Sequence, residues 1–185
     1  MQCHAGYREI YEKEHPVVSS PTFAFAKFVH LLNKPVVIYW PTADSLLLNR
    51  GKDRRSIVGK NVQDTSAHWI ISPHRNDASR LMIKSLLDGN NLSIWCEKGP
   101  DEGLGWGTTT GSCEGAAEAF SIEKHPFENR PHSYLFKGHL NGKYLQTYDS
   151  RPCCNNLNKL QWEEAVVLPL EVAEEEFKLK QMLKK

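Results

Sequence analysis

Long apolar runs are missing from this chain: no stretch approaches the roughly eighteen residues that a membrane-spanning helix requires. Excess charge is missing too. Twenty-three basic against 22 acidic residues leave a formal charge of +1. No global field therefore draws the protein to nucleic acid or to an acidic membrane surface. Cysteine is sparse, and five residues scattered over 185, an odd number, do not read as a disulfide framework. The vicinal pair Cys153-Cys154 has neither the spacing nor the neighbouring histidines of a zinc site.

Signatures of catalysis and cofactor chemistry are equally scarce. The 8 histidines are scattered, without a His-Glu-x-x-His or His-x-His pattern, so neither a metal site nor a cofactor is expected. Glu97–Gly115 is rich in glycine, but no lysine follows Gly111 and no helix is indicated there. A phosphate-binding P-loop is therefore excluded, and hairpin turns with a mobile surface loop are expected. No Gly-x-Ser-x-Gly elbow occurs, and a non-enzymatic protein is expected. The stretch Met1–Glu9 lacks the basic and apolar regions of a secretory leader. With Met1 as the start, that makes the cytoplasm the expected compartment. The sequon Asn91-Leu92-Ser93 falls inside an expected strand and is read as chance.

What is present is alternation and turn chemistry. Ser133–Asp149 has two runs rich in β-branched and aromatic residues flanking Asn141-Gly142, the signal of a hairpin closed by a two-residue turn. Leu81–Trp95 lies on the same frame at an offset of 53, placing Asp88 on Asn141, Gly89 on Gly142, Leu92 on Leu145 and Trp95 on Tyr148. At an offset of 55, Lys27–Trp40 follows the same frame, with Trp40 on Trp95. Trp69-Ile70-Ile71, Phe120-Ser121-Ile122 and Val166–Leu170 close the three units. Internal repetition of this period points to a small all-β architecture built from equivalent modules. The expected boundaries are an N-terminal extension over 1–26, a repeat domain over 27–172 with units 27–72, 81–125 and 133–172, and a helical tail over 173–185. Tyr7, Ile10 and Tyr11 recur at helical spacing within the N-terminal extension.

The pattern Ile-Lys-Ser…Asp-Gly-Asn-Asn-Leu…Phe-Ser-Ile-Glu, echoed by Phe-Lys-Gly…Asn-Gly-Lys-Tyr-Leu, resembles the repeat of β-trefoil proteins. It is closest in style to the fascin and hisactophilin type, and more loosely to ricin-B-like and fungal trefoil lectins. The resemblance implies an all-β fold of three four-stranded units, six strands closing a barrel and six forming a hairpin cap. It implies a recognition module, foremost a lectin-like carbohydrate binder. A fascin-like actin or other protein-interaction module is the alternative, and a protease inhibitor a further one. The turns are not histidine-rich as in hisactophilin, and Gln161-Trp162 lacks the intervening residue of the ricin-B Gln-x-Trp signature.

Sugars stack their C–H faces on aromatic rings while amides and carboxylates pair their hydroxyls. The candidate ligand residues are therefore Trp40, Trp95 and Tyr148, with Asp88, Asn90, Asn141, Gln146 and Asp149 as polar neighbours. A basic patch of Arg50, Lys52, Arg54, Arg55 and Lys60, opposed by Asp53, is the candidate anion or protein-partner site. It lacks the interleaved aromatics of a single-strand nucleic-acid binder, so glycan or protein is the expected partner.

Overall fold

The computed structural model describes residues 28–50, 56–95, 107–124, 132–148, 151–156 and 163–183. Its strands are β1 (Pro35–Trp40), β2 (Ser45–Asn49), β3 (Ser56–Gly59), β4 (Trp69–His74), β5 (Asp77–Ser85) and β6 (Asn91–Trp95). They continue as β7 (Gly107–Gly111), β8 (Phe120–Lys124), β9 (Ser133–Gly138), β10 (Tyr144–Tyr148), β11 (Arg151–Asn156) and β12 (Ala165–Pro169), followed by helix α1 (Leu170–Leu183). The glycine-rich segment expected as loop thus contributes β7, whose residues pair with all of β6. The helical tail begins at Leu170 rather than Ala173. The N-terminal extension lies outside the described residues.

Antiparallel pairing runs β1–β4–β5–β8–β9–β12 and returns to β1, closing a six-stranded ring. The other strands form three hairpins, β2–β3, β6–β7 and β10–β11. Cys153 opposite Gly107 joins the third hairpin to the second. A closed ring leaves no exposed barrel edge. This is the β-trefoil architecture.

The ladders set the register between units. Trp69 pairs with Ser85 and Phe120 with Gly138, while the β1–β12 ladder carries Trp40 to Ala165. Trp40 is therefore equivalent to Ser85 and Gly138, at offsets of 45 and 98 rather than the 55 that aligns it with Trp95. Three leucines at this register, Leu47, Leu92 and Leu145, are each no more than 1% exposed. The turns agree: positive φ falls at Asp44 (45°), Gly89 (73°) and Gly142 (65°), which are equivalent positions in this register within the reversals between each unit's first two strands. Unit one has no glycine there, and aspartate tolerates the left-handed conformation better than most residues. That substitution hides the turn in sequence, while Leu31-Leu32-Asn33 mimics it upstream.

The reversal at Asn141-Gly142 is also longer than a two-residue turn. Gly138 N–H donates to Lys143 O and Gly142 N–H to Gly138 O, so the chain reverses over residues 139–143. Within it only Gly142 takes positive φ, and the Asn141 side chain makes a local bond described below.

Two apolar layers result from strand alternation. Val36, Ile38 and Trp40 of β1 enter the barrel with Trp69, Ile83, Phe120 and Phe136. Val37 faces the other way and joins Leu46, Val62, Leu168 and Ala173 of α1, with Tyr39 and Leu170 at the margin. The helix covers that outer face, so β1 is buried on both sides.

Candidate functional site

Asp88 and Asn141 occupy equivalent turn positions and perform equivalent local work. The Asp88 carboxylate accepts the Asn90 backbone N–H (2.9 Å), and the Asn141 side-chain oxygen accepts the Lys143 backbone N–H (3.0 Å). Each closes an Asx turn. Asn141 Nδ2 also donates to Cys154 O at 2.8 Å, and the residue is buried. Asn141 is therefore a structural amide with both ends of its side chain occupied. Asp88 additionally accepts from Asn90 Nδ2 and Asn49 Nδ2, each at 2.8 Å. Burial opposes its ionisation, but the Asn90 backbone N–H and the Asn49 and Asn90 amides together hold its carboxyl below the ordinary value. Thr110 Oγ1 donates to Asn49 Oδ1, so buried Asn49 ties the first hairpin to the second unit.

The three aromatics do not form one set. Trp40 is fully buried, and its indole is part of the barrel core. A ligand cannot stack on it without unfolding the protein. Trp95 and Tyr148 do share a register position, each four residues beyond the pairs Lys84–Asn91 and Lys137–Tyr144. The third residue at that position is Arg50, since Tyr39 pairs with Leu46 in unit one. Arg50 is exposed, and the sequence frame missed its equivalence because the frame slipped in unit one. Trp95 lies opposite Gly107, and Tyr148 opposite Arg151, at the distal ends of their hairpins.

The remaining candidates separate. Half-buried Gln146 hydrogen-bonds the Cys153 thiol. Asn90 is half-buried on the β5–β6 turn, next to exposed Leu86 and Leu87 (39% and 44%), which the sequence reading did not nominate. In the basic patch, exposed Lys60 pairs with Asp44 at 3.2 Å, and Asp44 also accepts from Tyr39 Oη at 2.8 Å. Asp149, Lys52, Arg54 and Arg55 lie outside the described residues. The sequon asparagine Asn91 is 2% exposed, and its Nδ2 donates to Cys113 O at 3.0 Å. It is sealed from glycosylation in the folded protein.

Cysteine chemistry follows burial. Cys113 is disulfide-bonded, whereas Cys153 and Cys154 are free. Desolvation pushes the Cys154 thiol up to about 12, and its Sγ lies 2.9 Å from Lys143 O, to which it donates. Because only a thiolate reacts readily, Cys154 is expected to resist iodoacetamide in the native protein at pH 8 and to label after denaturation, as read by peptide mass spectrometry. Its folded value lies above the ordinary 9.0. Its contribution to stability is thus complete below pH 9 and declines as pH rises toward 12. Rapid native labelling of Cys154 would contradict the buried placement.

No family model and no curated protein matches the sequence. Solved structures do match in fold. SeviL bound to asialo-GM1 saccharide aligns with a TM-score of 0.57 at 11% identity, covering 73% of this chain and 96% of that one. A Caenorhabditis elegans protein of unknown function aligns with a TM-score of 0.60 at 13% identity, covering 75% and 95%. A GlcNAcα1-4Gal-releasing endo-β-galactosidase from Clostridium perfringens aligns with a TM-score of 0.58 at 13% identity; 74% of this chain covers 32% of the enzyme. Among the described residues, no helix is long and apolar enough to cross a membrane.

Proposed function

We propose that this chain is a non-enzymatic carbohydrate-recognition module, with its binding surface at the distal ends of the β6–β7 and β10–β11 hairpins. The observation that supports this most is the fold shared with SeviL, a protein solved with a saccharide bound, over nearly all of that protein's length. The similarity to part of an enzyme that releases a GlcNAc-galactose unit points to the same ligand class. Within the chain, Trp95 and Tyr148 hold equivalent hairpin positions, where aromatic rings suit stacking on a sugar face. Divergence of the third position to Arg50 leaves two aromatic sites of three. The Cys113 disulfide supports an oxidising environment, where extracellular glycans are met, over the cytoplasm expected from the N-terminal sequence.

A glycan array probed with folded protein tests the proposal. Binding to a related family of glycans is expected. Trp95→Ala or Tyr148→Ala is expected to weaken it by about tenfold, the value of a lost aromatic stacking contact, in protein shown by far-UV circular dichroism to be folded. A folded protein that binds no glycan would remove the reading. Pull-down of a salt-sensitive protein partner would then direct attention to Arg50 and Lys60.

A further inference from the structure

Two histidines far apart in sequence meet on the surface, on either side of the closure between the chain's first described turn and its third unit. His30 sits in the short helical turn Val29–Leu31, and His132 immediately precedes β9. Both are exposed, and their ring centroids lie 5.9 Å apart with an interplanar angle of 56°. A metal about 2.0–2.1 Å from one nitrogen of each imidazole requires centroids roughly 5 to 6.5 Å apart. The observed spacing falls inside that window.

The supports of the pair are rigid. Two residues before His30, fully buried Phe28 meets Tyr134, two residues after His132, in an edge-to-face contact with centroids 4.9 Å apart. Phe28 also meets Phe136. His132 O accepts the Val167 N–H of β12 at 3.1 Å, and Leu32 N–H closes the His30 turn on Val29 O at 3.2 Å. Both backbones are therefore anchored to the core, and little ordering remains when the rings share a ligand.

We propose that His30 and His132 form a two-histidine surface site for a divalent late first-row transition metal such as Zn2+ or Ni2+. Imidazole suits these ions, and neutral imidazole is the ligating form. Among the described residues no group of three or more His, Cys, Asp or Glu side chains is placed to hold a metal. The ion consequently keeps open positions, which water fills. Such a site is exchangeable rather than structural, and it clips the segment before β1 to the segment before β9.

The test is calorimetric titration of the full chain with Zn2+, alongside a thermal-shift measurement with and without the metal. The wild type is expected to bind one ion at this site and to melt higher when it is loaded, because the metal binds the folded state. His30→Ala and His132→Ala are each expected to weaken binding by about tenfold or more and to abolish the thermal shift. His30 is exposed, so His30→Ala keeps the wild-type melting temperature without metal. His132 stands at positive φ (65°), so His132→Asn, which tolerates that backbone, accompanies His132→Ala and is expected to lose the metal-dependent shift as well. His4→Ala serves as the control and retains binding. Unchanged affinity in the His30→Ala/His132→Ala double variant, or no binding by the wild type at millimolar Zn2+, would overturn the assignment.

Discussion

Replacing Trp69 by alanine is expected to lower stability by about 3–5 kcal/mol, the range for deleting a large buried aromatic. In a protein of this size that is a melting shift of roughly 10 °C, measurable by calorimetry or by denaturant unfolding. Trp69 is fully buried and begins β4, where it faces both Ser85 of β5 and Val36 of β1. Its ring fills the barrel with Trp40, Phe120 and Phe136. Its Nε1–H donates to Leu47 O at 2.9 Å, so deletion also strands a buried carbonyl.

The two buried tryptophans make the comparison specific. Trp40 Nε1 has no partner among the described residues. Trp40→Phe removes that unpaired donor and is expected to cost under about 1 kcal/mol, whereas Trp69→Phe leaves Leu47 O unsatisfied and costs about 1–3 kcal/mol. A Trp69→Ala protein within 1 kcal/mol of wild type would mean that the barrel collapses around the vacancy.

Glu118→Ala is the second large effect, expected at roughly 2–4 kcal/mol with little change in denaturant m-value. The carboxylate is 2% exposed and accepts Ser93 Oγ at 2.7 Å and the Gly115 N–H at 2.8 Å. These bonds hold the short helical turn Ala116–Glu118 against β6, just before closing strand β8. Removing the acceptor leaves a buried hydroxyl and a backbone donor unsatisfied, each worth about 1–3 kcal/mol. Glu118→Gln keeps one acceptor oxygen and the side-chain volume, so it should cost less than the alanine variant. Equal losses would show that the side chain's volume, rather than its hydrogen bonds, matters here. The register places Glu163, also fully buried, at the corresponding site of unit three, and Ala67 at that of unit one.

Much of the fold was legible because β-structure writes short-range signals. Leu46-Leu47-Leu48, Trp69-Ile70-Ile71, Phe120-Ser121-Ile122 and Val166–Leu170 all lie on strands or, at the last residue, on the start of α1. The offset of 53 between units two and three is reproduced by hydrogen bonds: Ser85 N–H to Asn90 O matches Gly138 N–H to Lys143 O. Unit one slipped because its turn, Pro41–Asp44, achieves positive φ without glycine. The frame then caught on a similar apolar run ten residues too early. That slip promoted Trp40, a core residue, to a candidate site and passed over Arg50.

Alternation and turn residues were thus enough to specify an all-β chain, since each depends on residues a few positions apart. Side-chain fate was decided only by tertiary structure. Asn141 reads as a polar ligand group in sequence, yet it is buried against Cys154 O. Asp88 is committed to Asn49, 39 residues away. His30 and His132, unremarkable in their own segments, become neighbours only because Phe28 packs on Tyr134. Burial and long-range pairing depend on which surfaces the closed barrel brings together, and no local pattern encodes that.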